Sequence, residues 1–332
     1  MEFVCPLCKG SLDADDEGYR CSACQRSYPT VCGIPDFRLE SDPYISIDAD
    51  RKKGLELENA TRHRTFEQML DYYYSTTPDD PSDLAKKWAE RSMVDQEIAR
   101  AYLELGGLYG VDAADKSLLD IGCSTGGLLI AASRRYGSVI GGSVIGVDVA
   151  FRWLVVCKAR LRGENVRAKL VCANAERLPF PDCSLDVTTA FDVLEHVRDA
   201  AQAISEARRV SRPGAKSFFL TNNRYGRLRE PHVGVFGVGF LPRARQAPYV
   251  ARRRPDLREY KIQLRDAGEL TRLFQDAAFS SFSVRPGSLY APHKRGPLAA
   301  RALAFYNRVR LLPGLRSLLR WTGPKLEVSA VR

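Results

Sequence analysis

From Lys116 onward, short runs rich in apolar and β-branched residues alternate with stretches whose apolar positions recur every three or four residues. The runs Leu118–Ile121, Val144–Val147, Lys169–Cys172, Val187–Ala190 and Ser217–Thr221 read as strands, with a further candidate at Ser281–Arg285. Strands apolar on both sides and separated by helices predict an α/β fold with a doubly wound parallel sheet. Ligands of such sheets bind beyond the carboxyl ends of the strands. Residues 40–110 hold no strand-like run. Phe66, Met69, Leu70 and Tyr73 have helical spacing, as do Leu84, Trp88, Ala89 and Ser92. Asp79-Asp80-Pro81-Ser82 reads as the loop before a capped helix, and a third helix over 92–105 would stop at Gly106-Gly107. Tyr72-Tyr73-Tyr74 either packs beneath a helix or lines a substrate mouth.

The first forty residues follow neither period. They carry Cys5 and Cys8, then Cys21 and Cys24, with short β segments expected near Phe3-Val4 and Tyr19-Arg20. A C-x-x-C turn delivers two thiolates from one tight loop, and two such turns complete a tetrahedral zinc site. A segment this short cannot bury a sufficient core, so a metal contributing on the order of 10–16 kcal/mol would supply most of its folding energy. Four closed ligands leave no open position, which makes the zinc structural. Cys32 reads as a small packed side chain. The remaining cysteines, Cys123, Cys157, Cys172 and Cys183, are scattered and read as core or pocket-wall residues.

Composition narrows the class. With 45% hydrophobic and 27% charged residues the chain is ordinary globular material, and no apolar run is long enough to span a bilayer. The opening MEFVCPLCKG lacks a signal-peptide pattern, so a cytoplasmic location is expected. The net charge of +10 is a gradient, from −10 over residues 1–120 through +5 over 121–220 to +15 over 221–332. Any anionic partner is therefore expected at the C-terminal third.

The first predicted strand ends in Asp120-Ile121-Gly122-Cys123-Ser124-Thr125-Gly126-Gly127, and the second in Asp148. Glycines at 122 and 126 permit a sharp turn with a ligand against bare backbone. The turn has no lysine, which excludes a nucleoside-triphosphate loop. Carboxylates at Asp120 and Asp148 suit a cofactor with a cationic amino group and a ribose.

The order D-I-G-C-S-T-G, G-V-D-V, A-N-A-E-R-L-P-F-P-D-C-S-L-D, A-F-D-V-L-E-H-V and R-V-S-R-P-G-A resembles class I S-adenosylmethionine-dependent methyltransferases, over about residues 95–285. The later motifs resemble the ubiquinone/menaquinone-biosynthesis branch. The resemblance implies a Rossmann-like, seven-stranded sheet. It also implies that the backbone of Gly122, Cys123, Ser124 and Gly126 holds the methionine part and that Asp120 meets its ammonium. Asp148 would hold the ribose, Val149 would pack on adenine, Asn174 and Ala175 would flank the adenine N6 edge, and Phe191 would lie near the sulfonium. Ser124 stands where the family often has glycine, and Asn174 where it has aspartate. The doubled S-V-I-G at 138–141 and 143–146 implies a lengthened loop. Likewise C-P-L-C-K-G, C-S-A-C and R-S-Y-P-T-V-C-G-I-P-D-F resemble the zinc ribbons of methyltransferase activator subunits, over residues 1–39.

The expected organisation is a zinc ribbon (1–39), a helical connector or cap (40–110), a methyltransferase domain (111–290, with a lid insertion at about 224–262) and a basic amphipathic tail (291–332). Glu195-His196 and Glu230-Pro231-His232 are the candidate bases, needed only if the acceptor is a hydroxyl or an acidic carbon. His196 and His232 each serve either in catalysis or as structural hydrogen-bonding groups, and His63 and His293 have no supporting context. Arg243, Arg245 and Arg252-Arg253-Arg254 are placed to meet phosphate or carboxylate. The tail pattern, leucines and aromatics beside Arg301, Arg308, Arg310, Arg316 and Arg320, suits an anionic membrane surface, RNA, or packing on the domain with solvated arginines. The leading expectation is methyl transfer to a small-molecule, lipid-like or sugar-linked acceptor in the cytoplasm, peripheral contact at the inner membrane surface being one of the readings of the tail. An rRNA or tRNA base methyltransferase is the alternative, and a non-enzymatic scaffold a third reading.

Overall fold

The computed structural model describes residues 2–77, 81–105, 116–136, 144–226, 229–257, 259–290 and 296–332. Asp79-Asp80, the expected stop at Gly106-Gly107, the first S-V-I-G repeat and His293 lie outside them. The N-terminal module is a four-stranded antiparallel sheet of β1 (Leu12–Ala14), β2 (Gly18–Cys21), β3 (Ser27–Val31) and β4 (Ile34–Pro35). Its Cys5, Cys21, Tyr28 and Phe37 are buried in the same apolar cluster as Leu119, Ile145 and Val171 of the central sheet. Phe3 sits 5.1 Å from the Phe37 ring and 5.9 Å from Phe180. Lys9 reaches across to Glu206 at 2.8 Å. The module and the following domain therefore share one core.

Four helices follow: α1 (Ile47–Ala60), α2 (Phe66–Thr76), α3 (Ser82–Met93) and α4 (Asp95–Leu105). Thr65 and Gln68 form a capping box at the start of α2, fixing two otherwise unpaired N–H groups. Sequence periodicity missed α1, which is held from outside its own pattern. Its Asp50 carboxylate accepts the Phe151 N–H at 2.7 Å, and Gly54 leaves room for the Phe151 ring, which an added Cβ would meet at 2.4 Å.

The central sheet contains β5 (Leu118–Ile121), β6 (Val144–Asp148), β7 (Lys169–Cys172), β8 (Leu185–Phe191), β9 (Ser211–Asn222), β10 (Ser281–Pro286) and β11 (Lys325–Val331), in the order β10-β11-β9-β8-β5-β6-β7. Strands β5 to β9 pair in parallel. Leu119 and Ile121 face one apolar cluster while Leu118 faces another, so β5 is covered on both sides as its apolar run implies. The covering helices are α5 (Gly127–Tyr136), α6 (Phe151–Gly163), α7 (Ala200–Val210) and α9 (Ala267–Asp276).

One boundary is corrected. The domain does not end at 290, because β11 lies antiparallel between β9 and β10, with Lys325 opposite Asn222 and Val331 opposite Ser281. Leu326, Val328 and Ala330 alternate inward, a period-two signal that the basic segment preceding it obscured. Before it come α10 (Pro297–Val309) and α11 (Leu315–Thr322). The insertion around α8 (Arg243–Arg253) has its own small apolar cluster, including Val233, Val238, Val250 and Tyr260.

Candidate functional site

Beyond the carboxyl ends of β5, β6 and β8, where the strand order reverses, lies a cavity of about 890 Å³. Helices α2 to α4, residues 231–233, and Leu257, Glu259, Tyr260 and Ile262 complete its wall. At one end Asp148 terminates β6. Its two carboxylate oxygens accept the Ser124 and Ala150 N–H groups, each at 2.8 Å, leaving a lone pair on each for a diol. Ser124 is held at φ 45°, so Asp148 also fixes the loop. Asp120 is buried on β5 and accepts the Thr189 hydroxyl at 2.9 Å. Burial drives its carboxyl up to about 7, against the Thr189 hydrogen bond and helped by the charges of Asp148 and Asp95. Burial raises Asp148 as well, against its two backbone donors. Neither carboxylate has an ion-pair partner among the described residues. A cationic ligand with vicinal hydroxyls fits these two acids.

At the other end, Asp192 (φ 57°) accepts Lys325 Nζ at 2.6 and 2.7 Å and Arg91 at 3.0 Å. Burial would raise its carboxyl, but these two cations hold it below the usual carboxylate range. Beside it the His196 and His232 rings meet edge to face, with centroids 4.7 Å apart. His232 Nδ1 lies 2.5 Å from Glu230 Oε1, and the other Glu230 oxygen accepts the His232 and Val233 N–H groups at 2.9 Å. Burial lowers His232, but the Glu230 carboxylate outweighs it and raises the imidazole above its ordinary value. His196 is lowered, by burial first and by His232 second. The two imidazoles are thus shifted in opposite directions, and both line the cavity. Glu195 is spent structurally, accepting Thr221 Oγ1 at 2.6 Å and Asn222 Nδ2 at 2.7 Å. Trp88, Tyr73, Tyr74, Tyr102 and Tyr260 make the surrounding wall aromatic.

In the N-terminal module the sulfurs of Cys5, Cys8, Cys21 and Cys24 all lie within 4.8 Å of one another. Cys5 and Cys24 are 3.7 Å apart, and Cys8 and Cys21 3.4 Å. Tetrahedral zinc with Zn–S of about 2.3 Å places its sulfurs roughly 3.8 Å apart, so the spacing fits. Tyr28 Oη lies 3.1 Å from Cys5 Sγ, and the Cys24 N–H donates to Cys21 Sγ, contacts that orient the thiolates. Gly10 sits against the cluster, since a Cβ there would stand 3.4 Å from two of the sulfurs.

Residues 119–219 match the family model of a methyltransferase domain. The likeness to methyltransferases is carried by this segment of the chain. A ubiquinone biosynthesis O-methyltransferase of Saccharophagus degradans is 36% identical over 38% of this chain and 49% of its own length. A demethylmenaquinone methyltransferase of Staphylococcus aureus is 28% identical over 70% of this chain and 90% of its own. The chain spans about half the length of the curated relatives it matches at 33–36% identity. Among solved structures, an S-adenosylmethionine-dependent methyltransferase of Mesorhizobium loti aligns at TM-score 0.47 and 18% identity, over 71% of this chain and all of that one.

Asp120, Gly122, Cys123, Ser124, Asp148, Val149, Asn174, Ala175, Phe191, His196 and His232 all line the same cavity. Three expectations change. Gly126 is not on the cavity wall. A Cβ there would stand 2.6 Å from Cys157 Sγ, and its φ of 84° favours glycine, so packing explains the residue. Gly122 is likewise set by φ 74° and by Val193, which a Cβ would meet at 2.3 Å. The Asn174 carboxamide oxygen is not free for adenine. It accepts the Leu39 and Glu40 N–H groups at 2.9 and 3.1 Å, and the amide nitrogen donates to the Glu40 carbonyl. Arg243 and Arg254 are tied to Glu269 and to Asp83 with Asp256, so they do not await an anion in the cavity. Tyr73 satisfies both readings of the tyrosine run, stacking 4.2 Å from Trp153 while lining the cavity. Sequence reasoning missed Asp192, Lys325 and Arg91, which come together only through β11 and α3.

Proposed function

We propose that the chain transfers a methyl group from S-adenosylmethionine to a hydroxyl oxygen of a small-molecule acceptor, and that residues 1–39 form a structural zinc ribbon. The observation that carries the first part is the asymmetric imidazole pair at the acceptor end of the cavity. The cofactor supplies an electrophilic methyl on a sulfonium, a centre that needs alignment more than activation. Asp120 and Asp148 would hold its ammonium and ribose, with Val149, Ala175 and Phe191 against the remainder. His196, neutral and facing the cavity, takes the hydroxyl proton. His232, kept protonated by Glu230, stabilises the negative charge that develops on the acceptor oxygen. The aromatic wall favours a planar acceptor. The names of the two relatives, both quinone methyltransferases, support a small molecule over a macromolecule. The four cysteines supply a closed thiolate set, which supports zinc as a folding element for a module that shares the core.

The test is transfer of label from methyl-labelled cofactor to a metabolite and lipid extract or to total RNA. Label in the small-molecule fraction is expected, and label confined to RNA would overturn the reading. With an accepted substrate, kcat should follow a bell-shaped pH curve. Its acid limb lies below the ordinary imidazole pKa, where His196 protonates, and its alkaline limb above it, where His232 loses its proton. A profile without an acid limb would remove His196 as the base.

A further inference from the structure

α10 and α11 are built inside out. The side of α10 facing the domain is polar, since Tyr306 Oη donates to the Gly287 carbonyl at 3.1 Å and Asn307 holds both the N–H and the carbonyl of Leu289. Arg310 is buried against the Pro286 carbonyl and Glu327. The outward side carries Leu298 at 80% exposure and Phe305 at 67%. α11 buries none of its residues, and presents Leu315, Leu318 (55% exposed) and Trp321 (50%) at helical spacing. Exposed Leu311 and Leu312 join the two faces. An apolar surface of this extent marks an interaction site.

Charge identifies the partner. Between Gly296 and Pro324 the sequence has five arginines and no aspartate or glutamate. Arg310 and Arg320 turn inward, the latter to Thr271 Oγ1 at 2.7 Å, while Arg301, Arg308 and Arg316 are exposed beside the apolar side chains. Apolar groups at the centre with cations beside them match a bilayer interface of acyl chains under anionic headgroups. A second copy of this face would set arginine against arginine. RNA would leave the leucines without partners.

We infer that the outward face of α10 and α11 docks the protein on an anionic phospholipid surface. This rests on the exposed face alone and stands or falls independently of the acceptor chemistry. No helix among the described residues is long and apolar enough to cross a membrane, so the contact is peripheral.

Flotation of the full chain with vesicles tests it. Phosphatidylcholine vesicles containing phosphatidylglycerol should carry the protein, pure phosphatidylcholine vesicles far less, and added salt should weaken the binding. Trp321 emission should shift to the blue on binding. Replacing the exposed arginines (R301Q, R308Q and R316Q together) should weaken binding roughly a hundredfold, at about fivefold per charge. The pair L318S and W321S should abolish the emission shift. The arginine variant should keep the thermal midpoint and cofactor affinity of the parent, because Arg301, Arg308 and Arg316 are exposed. Three outcomes would overturn the inference: no flotation with anionic vesicles, tight RNA binding that the vesicles do not displace, or self-association that already shields Trp321 without lipid.

Discussion

The two ends of the cavity are solved in opposite ways. At one end, Asp120 is buried and Asp148 half-buried, neither has an ion-pair partner among the described residues, and desolvation raises both. At the acceptor end, Asp192 is matched by Lys325 and Arg91, and Glu230 by His232. A buried charge left unpaired is costly, so on the proposed reading a cationic ligand would complete the first end. The second end is electrostatically self-sufficient. On the proposed reading, the fold separates binding from chemistry within a single cavity.

The sharpest way to break that comparison is to damage each end separately. His196→Ala should lower kcat by roughly 10²–10⁴-fold, the usual contribution of a positioned base, while leaving cofactor affinity within a few-fold. Asp148→Ala should do the reverse. It removes the acceptors for a diol and releases Ser124 from its φ of 45°, so affinity measured calorimetrically should fall by roughly 3 kcal/mol, two charged hydrogen bonds' worth. If His196→Ala weakened the cofactor as much as Asp148→Ala, the two ends would not be separate.

A smaller effect tests the incompleteness directly. Asp120 in the ligand-free protein titrates at about 7, and a bound ammonium would favour its ionised form. Below pH 7 the free carboxyl is protonated, so binding must expel that proton, and affinity should fall about tenfold per pH unit until the bound-state pKa is reached. Above pH 7 the affinity should be flat. The same group destabilises the ligand-free fold as pH rises through 7, because its folded pKa exceeds its unfolded value. Thermal midpoints without ligand should therefore lose ground over that range, and with ligand should not. Asp120→Asn should flatten both curves. A cofactor affinity of the parent protein independent of pH between 5 and 8 would remove Asp120 from the ammonium site.

Much of the cofactor end was legible because it is local. One strand, one turn and the next strand bring Asp120, Gly122, Ser124 and Asp148 together, and strand periodicity with glycine placement reports that kind of neighbourhood. The acceptor end was only half legible. His196 and His232 stand out as titratable groups in suggestive contexts, but Asp192 takes its meaning from Lys325, 133 positions away. That pairing requires β11 to return between β9 and β10, and a seven-residue alternating run after a basic stretch does not announce where it will pair. Asn174 failed for the same reason. Its identity suited adenine, but residues 39–40, arriving from another module, occupy its carboxamide oxygen and one of its N–H groups.

That arrival sets the smallest prediction. The segment after the cysteines runs directly along the cofactor end. Phe37 N–H donates to the Cys172 carbonyl at 2.8 Å, and Arg38 bridges Asp36, Asp50 and the Val149 carbonyl. Cys8→Ser, at an exposed cysteine of the proposed zinc set, should weaken zinc retention measured by metal analysis after dialysis against chelator. It should loosen residues 1–32 in hydrogen exchange. Cofactor affinity should change by only a few-fold, because the Arg38 network is buried and makes its own contacts with the sheet. Arg38→Ala should do the opposite, leaving zinc in place while lowering cofactor affinity, since Val149 and the Asp50 contact with the start of α6 both lose their anchor. Equal losses of cofactor affinity from both variants would mean that the metal, and not the Arg38 network, organises that wall of the cavity.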